Sequence, residues 1–150
     1  MTGLIWEVKT NDNGLRDKDW HYTWYSTDSN TNGNNAGSTG SDSCGGTLSG
    51  YGNYCNTSQY VVAINAIGLC GANDWRMPSS DELNSLIHYG VYNPSIDTTY
   101  FPNTLSEWYW TATNYAAGPA DAWVVYFGNG NVDYVNKASA YAVRVVRASQ

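Results

Sequence analysis

Two histidines, three cysteines and one run of hard oxygen donors are the residues of this chain able to do chemistry on their own. His21 and His88 stand far apart, and neither has Cys, Asp or Glu at a familiar ligand spacing. No Gly-x-Ser-x-Gly elbow or phosphate loop accompanies them. Asn11-Asp12-Asn13-Gly14 with Asp17 and Asp19 places hard oxygens on a glycine-bent turn, the donor type that calcium takes, with Asp12, Asp17 and Asp19 as the ligands. The EF-hand spacing and its terminal Glu are missing, and Arg16 and Lys18 neutralise the acids. The expectation is therefore a capped polar turn and no cofactor. Three cysteines cannot all pair. A Cys44–Cys55 bridge would restrict a Gly/Ser/Asn-rich segment and stabilise the fold by roughly 2–3 kcal/mol. Cys55–Cys70 is the alternative, and spacing alone does not choose between them. With the first pairing, Cys70 is expected as a buried thiol beside a turn.

Composition narrows the partners. A chain of 150 residues is one domain, long enough for a core. A net charge of −6 opposes both a nucleic acid backbone and an anionic membrane surface. Ten of the thirteen acids but only four of the seven bases lie in residues 1–100, so the last third is balanced and a ligand surface there is near neutral. No stretch reaches transmembrane length, and direct membrane insertion is not expected. No signal peptide opens the chain, so a domain of a longer secreted protein is the expected context. Seven Trp and thirteen Tyr accompany two Phe. Such rings suit sites that are dry at one end and wet at the other, and beside Ser, Gly and Asn they make paratope-like surfaces.

These residues need elements to position them. Leu4–Lys9 alternates as a first strand. Asn11–Asp19 is a polar turn, and Trp20–Tyr25 is β-prone. Ser26–Asn53 is almost wholly small and polar and reads as a flexible insertion over about residues 26–53. Asn56 or Thr57 caps a first helix that carries Tyr60, Val61, Ile64 and Ile67 on one face and stops at Gly68. Gly71–Leu83 is a dense joint: a turn, Trp75-Arg76, Pro78, and the capping box Ser79-Ser80-Asp81-Glu82. A second helix presents Leu83, Leu86 and Ile87 and ends at Gly90. Asn93–Asn103 is an irregular link. Glu107–Thr113, Ala122–Phe127, Asn131–Val135 and Tyr141–Arg147 read as strands, with Gly128-Asn129-Gly130 as a hairpin signal. This order predicts an α+β domain in which two helices flank antiparallel sheets.

Strand phase divides scaffold from surface. Trp6, Trp75, Trp108, Trp110 and Trp123 share phases with apolar neighbours and are expected in the core. Arg147 shares the phase of Val143 and Val145 and is expected in a buried pair. Asp74 and Arg76 are expected to pair or to bond to backbone. The residues that the core pattern does not need are Asn114, Tyr115, Asp121, Val124, Tyr126, Asn129, Asn131, Asp133, Tyr134, Asn136, Ser139 and Tyr141. They form the candidate ligand-binding set, since Tyr supplies contact area with few rotors and Asn and Asp supply adaptable hydrogen bonds. No catalytic residue is expected.

Several pieces coincide in order: Thr2-Gly3-Leu4-Ile5-Trp6-Glu7, Gly14-Leu15-Arg16-Asp17-Lys18-Asp19, the Cys70–Leu83 joint, Tyr109-Trp110-Thr111-Ala112-Thr113, Ala122-Trp123-Val124-Val125-Tyr126-Phe127 with Gly130, and Tyr141-Ala142-Val143-Arg144-Val145-Val146-Arg147. Together they resemble the Legionella collagen-like protein C-terminal domain family over nearly the whole chain, least in Ser26–Asn53. The resemblance implies a single C-type-lectin-like domain over residues 1–150, of the formylglycine-generating-enzyme type, loop-rich, with its first and last strands paired. It implies a module of a secreted or surface bacterial protein, a non-catalytic recognition or adhesion domain for a glycan or protein ligand on a host or neighbouring cell, and a homotrimer. The eponymous member binds sulfated polysaccharides, which favour a basic groove that this acidic chain does not offer. Relatives serve as hypervariable protein-binding targets of diversity-generating retroelements, which is the second reading. The third, an enzyme or enzyme accessory of the formylglycine-generating type, relies in the relatives on a late cysteine pair, and no cysteine follows Cys70 here.

Overall fold

The computed structural model describes residues 3–149; Thr2 of the first motif lies outside them. The two ends of the chain meet first. Strand β1 (Leu4–Trp6) pairs antiparallel with β5 (Val146–Ala148), Leu4 facing Ala148 and Trp6 facing Val146. The expected strand over Leu4–Lys9 is thus shorter, and its continuation inverts the usual polarity. Glu7 and Lys9 are buried while Val8 is exposed. The inward charges are matched: Glu7 accepts from the Val145 amide (3.1 Å), the Lys9 ammonium (3.3 Å) and the Tyr60 hydroxyl. Lys9 also donates to Tyr60 (2.9 Å), and Arg144 donates to the Glu7 carbonyl (2.6 Å) and the Thr104 hydroxyl (2.7 Å).

Helix α1 (Thr57–Ile67) starts where the Asn56 side chain accepts from the Gln59 amide (2.9 Å), and stops at Gly68, whose φ of 63° suits a residue without a Cβ. Its buried face is Thr57, Tyr60, Ala63 and Ile64; Ile67, expected on that face, is 57% exposed in the last turn. The joint that follows is clamped from both sides. Asn65 holds both backbone groups of Trp75 at 2.9 Å, and the Trp75 indole donates to the Leu69 carbonyl (3.0 Å). Arg76 exchanges two backbone bonds with Val146, both 2.9 Å, which ties the joint to β5. The expected Asp74–Arg76 pair is re-partnered. Arg76 makes two bonds to Glu82 (2.8 and 2.7 Å), and Asp74 takes Arg147 (2.6 and 3.2 Å) at the protein edge, with Arg147 covered and Asp74 about half exposed. Cys70, expected buried, is exposed, because the backbone turns left-handed there (φ 55°) and carries the thiol outward.

The capping box forms as expected, but helix α2 (Ser80–Asn84) is a single turn or so and does not run to Gly90. The Ser85 hydroxyl bonds the Glu82 carbonyl (2.6 Å), and His88 donates its amide to Ser95 instead of back along a helix. Leu86 and Ile87 still pack beside Leu83, now from a turn.

The central sheet runs β2 (Trp108–Asn114), β3 (Asp121–Tyr126), β4 (Val132–Asn136), all antiparallel, with a register shift in β2 between Trp110 and Asn114. Two cores cover its two faces. Trp110, Ala122 and Val124 pack with Tyr22, Trp24, Tyr60, Ile64, Trp75, Val143 and Val145, whereas Tyr109, Val125 and Phe127 pack with Leu83, Ile96 and Ala142, and Trp6 rests half-buried against this second group. Trp20–Tyr25 forms no regular strand; Tyr22, Thr23 and Tyr25 bridge singly to Tyr141, Asn56 and Gly37. The closing strand likewise shortens to Val146–Ala148.

Residues 26–53, read as a flexible insertion, carry their own anchors. Cys44 and Cys55 are bonded, with Cα atoms 5.9 Å apart, and Cys44 and Leu48 are fully buried. The Lys137 ammonium donates to the carbonyls of Asn32 (2.9 Å) and Asn35 (2.7 Å) and lies 4.1 Å from the Trp24 ring centre. A single cation therefore holds the loop, the sheet end and the core together.

Candidate functional site

The second face of the sheet is covered by α2 and its following turn at one end only. At the other end Trp123 and Tyr134 face each other across β3 and β4, and Tyr134 is 42% exposed. The loop between β2 and β3 folds back, the Tyr115 amide donating to the Asp121 carbonyl (3.0 Å), and lays the Tyr115 ring on Tyr134, centroids 3.8 Å apart and planes within 5°. Gly118 permits this, since a Cβ there would sit 3.2 Å from the Tyr115 ring. The Trp123 ring stands nearly perpendicular to both tyrosines, at 5.5 and 5.6 Å. Near-equal distances place the indole beside the stacked pair and not above either ring. Tyr115 raises the pKa of the Tyr134 phenol by hydrogen bonding and by its charge.

Two hollows open beside this aromatic group and share Thr113 as a common wall. The larger, about 790 Å³, lies between the start of the long loop (Trp24, Tyr25), α1 (Val61, Val62), the joint (Met77) and the end of β2 (Ala112, Asn114). The smaller, about 390 Å³, is bounded by Ser79, Ser80, Asp81, Thr113, Trp123 and Val132.

The twelve residues proposed from strand phase do not form one surface. Asn114 lines the large cleft, Tyr115 and Tyr134 stack, and Asp121 and Asp133 flank them on β3 and β4. Val124 is fully buried in the first core, the reverse of its expected orientation, and Trp123, expected inside, is half-buried like Tyr115 in the aromatic group. Tyr126 packs on Trp108 (4.9 Å) and Tyr141 on Trp110 (5.5 Å), both on the opposite face of the sheet. Asn129 and Asn131 are at the β3–β4 turn, the Asn129 side chain accepting from the Asn131 amide (3.1 Å). Asn136 and Ser139 are at the other end, and Asn136 caps the Ala138 amide (3.0 Å). Phase could not orient this sheet because both its faces are packed. The residues that it missed, Trp123, Ser80, Asp81 and Thr113, come from the joint and the sheet together, and no local pattern links them.

The turn proposed for calcium is internally satisfied. Asp17 is buried and accepts from the amides of Asp12 (2.7 Å), Asn13 (2.6 Å) and Asp19 (2.9 Å). Burial pushes its pKa up, and the three amides more than offset that, so the net shift is downward. Asp12 accepts from Gly14 and Thr10, and Asp19 pairs with Lys18 (2.7 Å). Among the described residues one group, Asp42 with Cys44 and Cys55, brings ligand-type atoms within 4.8 Å, and its two sulfurs are bonded to each other. His21 contacts Glu107 (2.8 Å), and His88 accepts from the Gly90 amide (3.1 Å).

The model of the Lcl C-terminal domain family matches residues 1–147. No curated protein matches the chain.

Proposed function

The chain belongs to the Lcl C-terminal domain family, and from that premise we propose that it is a non-catalytic extracellular recognition domain with a C-type-lectin-like fold. The family is associated with extracellular collagen-like proteins. The Cys44–Cys55 bridge suits an oxidising compartment. No helix among the described residues is long and apolar enough to cross a membrane. Paired terminal strands, two antiparallel sheets and two flanking helices are consistent with the lectin-like layout.

The observation that carries the reading is the uncovered end of the sheet. Tyr115, Trp123 and Tyr134 gather there, with a hollow on either side of Thr113. Rings of this kind give contact area at little cost in side-chain entropy, on a scaffold held rigid by the joint. The ligand is a glycan or protein on another cell, bound without calcium, because in the 11–19 turn Asp12 and Asp17 already accept from backbone amides and Asp19 pairs with Lys18. A glycan and protein array with the wild type and a Tyr115→Ala/Tyr134→Ala variant tests this. Loss of signal in the folded variant supports the surface, and equal binding by both proteins places the ligand elsewhere.

One observation favours the second reading, a diversified protein-binding target. Asn129, Asn131, Asp133 and Asn136 are exposed, and the side-chain bonds of Asn129, Asp133 and Asn136 go to near neighbours in the chain, so these positions tolerate exchange. A near-copy of the coding region beside a reverse transcriptase gene is what this reading requires, and a genome without one removes it.

A further inference from the structure

We propose that the smaller hollow, between α2 and the open end of the sheet, is a subsite for one uncharged pyranose ring, stacked on Trp123 and hydrogen-bonded through Asp81. The inference rests on the recognition reading above and names the ligand class for one part of that surface.

Bonding commitments divide the indoles of the chain. The indole N–H groups of Trp20, Trp24, Trp75 and Trp110 each donate to a backbone carbonyl of the fold, at 2.7–3.0 Å. The N–H groups of Trp6, Trp108 and Trp123 have no such partner among the described residues, and of these three only Trp123 lines the hollow, its ring held in place by Tyr115 and Tyr134. The same holds across the hollow. The Asp81 carboxylate is exposed and takes no hydrogen bond or ion pair from the described residues, and neither does the Ser80 hydroxyl. Thr113 accepts from the Ser80 amide (3.0 Å), which leaves its hydroxyl proton to donate. An aromatic wall thus stands near one free carboxylate, two hydroxyls and a free indole N–H.

That set matches a sugar ring. Its C–H face packs against an aromatic surface, and adjacent hydroxyls donate to one carboxylate. A volume of about 390 Å³ lies at the small end of ligand sites and holds one ring with its substituents. Charge selects within the class. The lining holds Asp81 and no Lys, Arg or His, and Asp121 stands two residues from Trp123 on β3, in a chain with net charge −6. Sulfated or carboxylated sugars are repelled. A quaternary ammonium, the other ligand of aromatic groups, has no acceptor for the Trp123 N–H or the Thr113 hydroxyl proton, whereas a sugar hydroxyl accepts from both.

Saturation-transfer NMR on the intact domain tests the proposal with the methyl glycosides of glucose, galactose, mannose and N-acetylglucosamine. The expected result is transfer to the ring C–H protons of at least one, with binding about tenfold weaker in Trp123→Ala and in Asp81→Asn. Asp81→Asn changes an exposed side chain without structural partners, so it reads the site even where Trp123→Ala disturbs packing. No transfer to any of the four overturns the proposal. Equal transfer in wild type and Asp81→Asn also overturns it, while leaving the recognition reading intact. Displacement of the glycoside by a heparin tetrasaccharide or by tetramethylammonium at lower concentration overturns the ligand class. The recognition reading fails separately, when the array yields no ligand of any kind.

Discussion

The junction of the chain ends and the open end of the sheet use similar residue types to opposite effect. At the junction Glu7, Lys9, Tyr60 and Arg144 are buried, and all their polar side-chain atoms except the Arg144 Nε are hydrogen-bonded within the fold. Burial pushes the Lys9 ammonium below its ordinary range, against the pull of Glu7, and pushes the Tyr60 phenol well above its own. At the sheet end Tyr115, Trp123 and Tyr134 touch one another through ring faces and edges, and the Trp123 N–H and nearby Asp81 stay free. The difference is one of commitment. Polar groups turned inward specify the fold, and those left unpartnered at a rigid rim are available to a ligand.

Glu7→Ala attacks the committed side and has the largest expected effect. It leaves the Lys9 ammonium, the Tyr60 hydroxyl and the Val145 amide without their acceptor in the interior. The cost is about 3–5 kcal/mol, which shows in the urea midpoint. A cost near that of an exposed substitution would mean that the junction is not the keystone it resembles. The joint supplies the next test. Bonding to Arg76, and secondarily to the Ser79 backbone, holds the Glu82 carboxyl at about 2, and the group is largely covered. Its folded pKa lies below its unfolded one, so its stabilisation is complete above the unfolded value near 4.5 and is lost as pH falls toward 2. The loss is on the order of 3 kcal/mol. Stability measured from pH 6 to pH 2 should therefore fall less steeply in Glu82→Gln than in the wild type.

What the sequence made legible follows the same division. Local rules carried the Asn56 cap, the Gly68 stop, the Ser79–Glu82 box and the Cys44–Cys55 bridge, because each depends on residues close in the chain. The length of α2 was not legible, since Leu86 and Ile87 keep helical spacing while lying in a turn. Nor was the burial of Glu7, Lys9 and Arg144, which rests on bonds between the two chain ends. For the site, alternation in β3 fails to separate Trp123 from Val124, since Val124 and Val125 are buried on opposite faces. Tyr115 and Tyr134 were found as residues, but their stacking depends on the fold of the loop that joins β2 and β3.

The long loop tests the boundary between the two kinds of region. It is polar like the open rim, yet it is anchored like the junction. Cys44→Ser with Cys55→Ser should cost roughly 2–3 kcal/mol. Because Lys137 still holds Asn32 and Asn35, the first half of the loop should keep its amide protection in hydrogen exchange while residues 41–55 lose theirs. Equal loss over the whole segment would show that the bridge, and not Lys137, holds it.

Tyr115→Ala with Tyr134→Ala has the smallest expected effect on stability, and for that reason it sharpens the comparison most. Both rings are at least partly exposed, and their main contacts are with each other and with Trp123. The Tyr134 amide is bonded by Asp133 (2.8 Å) and the Tyr115 amide by Asp121 (3.0 Å), so the backbone of the rim keeps its partners when the rings go. The urea midpoint should shift by less than it does on loss of the disulfide, while ligand binding is lost. A large shift instead would mean that the stacked pair closes the second core from outside. The aromatic rim would then be committed to the fold in the same sense as Glu7, and the argument for a ligand there would lose its ground.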